Sequence, residues 1–594
     1  MPIQTLPIFC YFDRQRFTQF GSMDCANFYG IQVESGKKQQ ALYPAMGRKH
    51  VTYLNENRLV YNTEPRDEFR TINYLYVIDG TQVIAYDSAF NAQTVGTIGL
   101  TGELWFAYLP VGDSVYALLT NGVNIYIITE TGTTVTMTVC TDTNAPPKPQ
   151  YVAAFGGRFV VSQMGTPINY LTQINLGGSP PVNPAKIFTI PDGGAGFALF
   201  FSSSGIVRSY AVLHTQLYIF TDFTTEIWAN IATQITVAGV TREFPWKINT
   251  SYNWDYGIAD PLSLSVDFGR MVWLGKNTSG LVTFMASDGG QPVVISTQAV
   301  NVLLENASDD DNGLSPFLRA TTDGFLYQYE NTIFYRVSAG IYDNTELLDP
   351  TTFANSLEYN FETKTWGRVI ELNGSRCRIQ KHVYFNNKHL VIVQGDPAIY
   401  EMAGNIYHNE LRNPAQSDAQ AANAFLKFPM RYELVTQQIY NEDYSEFIDD
   451  YVEIDFVFGD QTFYKSNAPF LNTTFIIDEM GNGLIPPSPV YMVTEDGSQF
   501  IIAEGGNTPT FDDNHYNALF KPHIELYYSD DGGVSFLTAD LREFSQLGHY
   551  RWRMRWYELG ISRNRCYKLV CVSSAPIVIL GAVRNTRRAS GGAN

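Results

Sequence analysis

The sequence predicts an all-β protein built on a β-propeller of six to seven blades, with a smaller β module inserted into it. Three observations carry that expectation: a hairpin recurring at near-regular spacing, an aromatic-rich and charge-poor composition, and a change of texture after about residue 410. The hairpin joins two apolar-alternating segments through a two-residue turn, as in "YVIDGTQVIAY" around Gly80, "YALLTNGVNIYII" around Gly122, "VAAFGGRFVVS" around Gly157 and "YAVLHTQLYIFT" around Thr215. It returns in "LSVDFGRMVWLG" around Gly269, "RATTDGFLYQY" around Gly324 and "HVYFNNKHLVIV" around Asn387. Asn-Gly, Asp-Gly and Gly-Gly pairs supply the positive φ that primed hairpin turns require. The turn centres step by 42, 35, 58, 54, 55 and 63 residues. A spacing of roughly 40–60 residues is that of four-stranded blades, which bury both faces only by stacking around a ring. The shorter early steps are read as two hairpins of one blade.

The remaining elements follow in chain order. Residues 1–60 are read as an N-terminal arm and interface segment, and residues 61–425 as the propeller. Within it, "LEYNFETKTWGRV" (357–369) resembles a Kelch-type hairpin and places Trp366 between blades. In "SDAQAANAFLKF" (417–428), Ser417 and Gln420 stand at capping-box spacing before an Ala-rich run, which predicts one short helix. "YVEIDFVFGDQTFY" reads as a strand with Val452, Ile454, Phe456 and Phe458 on one face and Glu453 and Asp455 on the other. The Pro-, Gly-, Asn- and Thr-rich stretch 470–520 reads as long loops, so 426–521 is taken as an inserted β module. From 522 the hairpin style returns. Residues 522–585 are therefore expected to close the ring, which would remove exposed strand edges, and 586–594 to form a flexible tail.

Composition bounds the function. Hydrophobic content of 45%, aromatic content of 14% and charged content of only 17% exclude a disordered chain. A net charge of −19, from 40 basic and 59 acidic residues, argues against gripping a phosphate backbone, because that grip rests on Lys and Arg neutralising phosphates. DNA that only slides past such a surface is compatible with it. The six cysteines, Cys10, Cys25, Cys140, Cys377, Cys566 and Cys571, form no Cys-x-x-Cys pair or zinc-spaced set and are expected as free thiols. The N-terminus lacks a basic segment followed by an apolar one, and no apolar run approaches the ~18–20 residues that cross a bilayer. The expectation is a protein made in a cytoplasm and not inserted in a membrane.

The most motif-like stretch is "HIELYYSDDGGVSF" (523–536), whose Ser-x-Asp-x-Gly-x-Ser-Phe spacing resembles the Asp-box hairpin of sialidases and other propellers. Asp531, Gly532 and Gly533 are expected to form a structural turn. Sialidases carry several such boxes and an Arg-Ile-Pro motif; this chain has one box and no Arg-Ile-Pro. Other glycosidases need two suitably placed carboxylates, which the sequence does not identify. "NASDDDNG" (306–313) places Asp309, Asp311 and Gly313 loosely like a calcium loop without the Glu at its twelfth position, and reads as an acidic surface loop. "TDFTTEIW" (221–228) sets Glu226 beside Trp228 at a strand end, a packing arrangement. "YRWRMRWYELG" (550–560) places Arg551, Arg553 and Arg555 on one face of a strand and Trp552, Met554 and Trp556 on the other. Those arginines are either a partner-binding stripe or an exposed face paired with acidic neighbours. No catalytic residue, metal ligand or cofactor site is read from the sequence, and the chain is expected not to be an enzyme.

A family resemblance joins the two ends. "MPIQTLP" at the start, "NFYGIQVESGKKQQALYPAMG" (27–47) and "IELYYSDDGGVSFLTADLREFSQLGHYRWRMRWYELGISRNRCYKLV" near the C-terminus resemble the tail-hub, or packaged-DNA-stabilisation, proteins of short-tailed bacteriophages. "FTDFTTEIW" is a weaker internal echo, and Ala45-Met46-Gly47 stands where a Pro-Gly is usual. The resemblance implies a structural virion protein, a homo-hexameric hub or nozzle assembled in the host cytoplasm below the portal and its head-to-tail adaptor. It implies a tail needle or plug and tailspike or tail fibre proteins as partners, and double-stranded DNA as transported cargo. The alternatives are a propeller-type glycan hydrolase or glycan-binding tail component, and a tailspike-anchoring protein without a channel.

Overall fold

The computed structural model describes residues 3–14, 22–32, 40–51, 65–173, 183–189, 197–199, 205–237, 240–248, 253–306, 323–339, 355–412, 425–441, 443–458, 476–477, 483–484, 523–543 and 551–588. Six four-stranded antiparallel units follow one another along the chain. Blade one is Pro65–Arg70, Leu75–Asp79, Gln82–Tyr86 and Ala92–Thr97; blade two is Trp105–Val111, Ser114–Thr120, Ile125–Thr131 and Thr134–Val139. Blade three is Pro149–Phe155, Arg158–Gln163, Ile168–Leu171 and Phe197–Leu199; blade four is Ser209–Leu213, Gln216–Phe220, Thr225–Val237 and Val240–Ile248. Blade five is Ser265–Asp267, Arg270–Asn277, Val282–Ser287 and Val293–Val294, with Tyr256–Ile258 on the far half of its second strand; blade six is Asp323–Tyr329, Thr332–Ala339, Asn355–Asn360 and Thr365–Arg368. Blade seven takes Ile379–Phe385, Lys388–Val393 and Ile399–Ala403 from one stretch and its fourth strand, Gly47–His50, from the other end of the chain.

This is a seven-bladed β-propeller. Its core is a set of seven apolar layers, each lying between two neighbouring blades, because a twisted four-stranded sheet is apolar on both faces and must be covered on both. Tyr76 and Ile78 meet Leu119 and Tyr126 between blades one and two, and Val77 and Leu75 meet Leu390 and Ile392 where blade seven returns to blade one. Trp366 fills the layer between blades five and six as expected, 5.1 Å from Phe284, its indole N–H donating to Ile295 O at 2.8 Å.

The hairpins mark blades one for one, so the reading of two early hairpins within one blade is corrected. Gly80 and Gly122 turn between the second and third strands of blades one and two, whereas Gly157, Thr215, Gly269 and Asn387 turn between the first and second strands of theirs. The step from 122 to 157 is short because the marked hairpin changes place within the blade. Gly324 is not a turn: it lies inside Asp323–Tyr329, and the hairpin turns at Glu330 and Asn331, with φ of 47° and 65°. Glycine stands at 324 because a Cβ there would meet Ser263 O at 2.6 Å.

The second half of the domain reading is overturned. The strands of 522–585 do not close the ring; Gly47–His50 does, pairing Tyr400 with His50 and Ala403 with Gly47. The C-terminal strands instead build a β-sandwich with the N-terminus. One sheet contains Ile3–Leu6, Phe28–Gln32, Gln40–Pro44, Phe447–Phe458, Arg551–Tyr557 and Ile577–Arg588. The facing layer contains Ser22–Ala26, Phe425–Val435, Asn564–Ser573, His523–Ser529 and Leu537–Glu543. Phe28, Tyr432, Val452, Ile454, Phe456, Met554, Trp556 and Tyr567 share their core. The described strands of 426–458 are thus part of the sandwich and no separate insertion. The predicted alternation of Val452–Phe458 holds, and the predicted helix over 417–428 does not: Phe425–Val435 is a strand and 417–424 lie outside the described residues. Of the 470–520 stretch only Ile476–Ile477 and Gly483–Leu484 are described, as a strand pair. Of the expected tail, 586–588 belong to a strand and 589–594 lie outside the described residues. Gln298–Asn306 is a helix that the sequence reading did not anticipate.

Propeller and sandwich meet in a polar seam. Asn27, at a φ of 58°, donates from its amide to Ile370 O and Arg431 O at 2.7 Å each and accepts from Ile370 N at 3.1 Å. Arg368 of blade six, largely buried, pairs with Asp24 at 2.6 Å and with Glu433 at 3.3 Å. Cys10 and Cys25 form a disulfide, which corrects the free-thiol expectation for that pair; Cys140, Cys377, Cys566 and Cys571 are free. No helix among the described residues is long and apolar enough to cross a membrane.

Candidate functional site

Most buried charges of the propeller are paired, which is what burial demands. Arg48 of the closing strand holds Glu371 through two hydrogen bonds of 2.7 and 2.9 Å, and Arg336 holds Glu358 at 2.6 Å with Tyr327 donating to the same carboxylate. Glu410 faces His50, His408 and Lys427; its burial would raise the carboxyl, but the hydrogen bonds and the imidazole charge pull it far below the usual carboxylate range. Glu226 accepts from the Trp228 indole at 3.1 Å, both buried, as the packing reading expected. Among the described residues no three His, Cys, Asp or Glu side chains are grouped to hold a metal ion. Asp309, Asp311 and Gly313 lie outside the described residues.

One buried carboxyl departs from the rule. Glu68, on the first strand of blade one, has neither oxygen hydrogen-bonded, and burial together with the neighbouring Asp67 pushes it up to about 8, with Lys381 of blade seven opposing. Nothing in the sequence marks it, since a Glu in "PRDEFR" looks like any surface carboxylate.

The Asp-box hairpin is a turn lock. The Asp531 carboxylate accepts from Val534 N and Ser535 N at 3.0 Å and from Ser529 Oγ at 2.6 Å, while Gly532 and Gly533 take φ of 84° and 90°. Slight burial would raise Asp531, but these donors hold it down at about 2. The neighbouring Asp530, which the motif leaves free to vary, does more distant work: it grips Arg565 through bonds of 2.7 and 2.9 Å. Arg565 is buried and also faces Asp449, which accepts from Tyr567 at 2.5 Å and pairs with Arg584 at 3.4 Å; Arg584 donates in turn to Gln4 at 2.6 Å. The turn is thereby tied to the first strand of the chain.

The arginine stripe lies on Arg551–Tyr557, the last strand of its sheet, and the side chains divide as expected: Met554 and Trp556 inside, the three guanidiniums outside. They are answered by the adjacent Phe447–Phe458 strand. Arg551 pairs with Asp455 at 2.7 Å, Arg555 with Glu453 at 2.5 Å, and Arg553 reaches Glu453 only at 3.8 Å. The guanidiniums are 58%, 48% and 62% exposed against 9–11% for the two carboxylates, so solvent meets a cationic row.

No family model and no curated protein matches the chain. Solved structures with some likeness include a virginiamycin B lyase from Staphylococcus aureus at 9% identity and a TM-score of 0.33, covering 60% of this chain and 99% of that one. Others are YCF48 bound to D1 peptide, at 11% identity and a TM-score of 0.31 over 65% and 99% of the two chains, and the Neurospora crassa Pan2 WD40 domain, at 7% and 0.31 over 63% and 97%. At TM-scores this low the likenesses carry no argument, and the propeller rests on this chain's own seven blades.

Proposed function

We propose that the protein is a structural component of a short-tailed phage particle, a hub or nozzle subunit that assembles into a ring around the exit path of the packaged genome. One observation carries this reading. The three main segments that resemble the tail-hub family, 1–7, 27–47 and 524–570, are separated by almost the whole propeller in sequence, yet they supply strands to one sandwich with one core; the weaker echo, 220–228, lies in blade four. A resemblance scattered by chance would not collect in a single module. A further feature supports a protein that stacks on other proteins: Val123, Met164, Phe223 and Leu281, each 39–60% exposed, occupy the turn between second and third strands in four consecutive blades, all on one face of the ring. The acidic balance of the chain suits a wall past which DNA slides, because each phosphate contact made by Lys or Arg would hold the genome back.

An image of the assembled particle with side chains placed tests the proposal. Six copies of the 66.7 kDa chain are expected around the axis, with a channel wall net acidic or polar and with Arg551, Arg553 and Arg555 against protein neighbours. A channel lined by Lys and Arg, together with DNA retention that falls with salt in a filter-binding assay, would overturn the sliding-wall reading.

A further inference from the structure

We infer that the outer edge of Arg551–Tyr557 is a docking site for an extended peptide of alternating acidic and apolar residues, which adds to the sandwich as one more strand. The edge is open among the described residues: this strand pairs along its length with Phe447–Phe458 and with nothing on its other side. An open strand edge presents unpaired N–H and C=O groups, the template for strand addition.

The occupant's chemistry is written in the partner the strand already has. Phe447–Phe458 sets Glu453 opposite Arg555, Asp455 opposite Arg553 and Val457 opposite Arg551, so carboxylates at every second residue meet guanidiniums at every second residue. Two carboxylates serve three arginines, and Arg553 is left with the longest contact. A carboxylate row on the open side would complete the pairing, since opposite charges directly across a strand pair stabilise it and like charges oppose it. That rule disfavours a second copy of the same strand, which would bring guanidiniums to guanidiniums.

The opposite face asks for apolar residues. Trp552, on the face of Met554 and Trp556, is still 37% exposed at the open edge. Beneath it runs the edge of the facing sheet, Leu537–Glu543, tied to this strand where the Trp556 indole donates to Asp540 O at 3.2 Å, and there Leu537 and Leu541 are 58% and 48% exposed. Apolar side chains at the alternate positions of an incoming strand would cover Trp552 and reach toward these leucines. The inference stands on this edge alone and does not depend on the virion reading.

The test is fluorescence anisotropy on the full-length protein with a labelled eight-residue peptide that alternates glutamate and valine. Saturable binding is expected at low salt, weakening about tenfold between 50 and 300 mM salt as screening grows, and at least about tenfold in Arg553→Glu. A peptide of the same composition with its glutamates in one block should bind at least about tenfold more weakly. Because Arg553→Glu could disturb folding, the deciding probe leaves the protein untouched: the alternating peptide N-methylated at every second residue, on the edge facing the protein, should lose binding. Absence of saturable binding by the unmodified peptide overturns the inference. So does equal binding of the methylated peptide, which would reduce the site to charge attraction, and so does tighter Arg553-dependent binding of a single-stranded oligonucleotide of equal charge.

Discussion

The propeller and the sandwich are both built of β-strands, but the chain supplies those strands in different ways. Each of the first six blades folds from one contiguous stretch, and its pairings link residues at most 31 positions apart, as for Ile168 and Leu199. The sandwich takes strands from both ends of the chain, pairing Ile3 with Asn585 and Cys25 with Leu434. Local hairpins form before long loops must close, whereas the sandwich brings its ends together only at the cost of ordering everything between them. The two regions are not independent, because the N-terminal stretch that builds the sandwich continues directly into Gly47–His50, the strand that closes the ring. One short segment serves both.

Truncation breaks the comparison most severely. A chain beginning at residue 52 loses the sandwich's N-terminal strands and the outer strand of blade seven, and is expected to show no cooperative loss of near-ultraviolet dichroism on heating. A chain ending at 521 loses Trp556 and Tyr567 from the sandwich core but no member of the seven interblade layers, and should keep a cooperative propeller transition. This reverses the expectation that followed from closure by the C-terminal strands. A molten chain ending at 521 would show that the sandwich holds the ring shut.

Single residues sharpen the comparison. Trp366→Ala and Trp556→Ala each remove a fully buried indole, and each should cost about 3–5 kcal/mol in denaturant unfolding. The first should lower the propeller transition and the second the sandwich transition. If both move one common transition by the same amount, the seam of Asn27 and Arg368 fuses the two regions into one cooperative unit.

Glu68 tests the propeller's interior by pH. Its folded-state pKa is raised, so the protonated form is favoured by folding. The contribution is most favourable below the ordinary carboxylate range and is lost as pH climbs from there to about 8. Glu68→Gln should be nearly neutral at pH 4 and stabilising by ~2–4 kcal/mol at pH 9, read from denaturation midpoints. Equal effects at both pH values would mean that the carboxyl finds a partner when it ionises.

How far the sequence could be read follows from the same contrast. The propeller was legible because turn residues and alternation repeat at blade spacing, and Trp366 because its hairpin is local. The sandwich was not, since "MPIQTLP" carries no mark that its third residue will lie beside Asn585. Gly324 misled because glycine serves close backbone approach as readily as a turn. The disulfide between Cys10 and Cys25 depends on the sandwich and was invisible for the same reason. Of the candidate sites, the stripe's alternation was legible, but its two buried carboxylates came from a strand about a hundred residues away, and the open edge required knowing which strand is last.

The Asp-box turn separates what a motif encodes from what the fold adds, and it carries the smallest expected effects. Asp530→Ala removes a bidentate partner from Arg565, a guanidinium buried to 1% exposure and otherwise facing Asp449 only at 3.8 Å. Because Asp530 itself is 37% exposed, the loss is discounted from the ~3–5 kcal/mol of a fully buried pair to ~2 kcal/mol, falling on the sandwich transition. Asp531→Ala removes acceptors for the turn's own Val534 and Ser535 amides and for the Ser529 and Ser535 hydroxyls; all but the buried Ser529 lie at the exposed tip, so about 1 kcal/mol is expected. The carboxyl of Asp531 is held down, so its contribution is present above the ordinary aspartate range and fades as pH falls toward about 2. Only the Asp531 variant should therefore approach the parent chain in acid: the two should match below about pH 2, whereas at pH 7 the variant should unfold slightly earlier. If Asp531→Ala proves the costlier of the two at pH 7, the turn nucleates the sandwich edge and the tie to Arg565 is secondary.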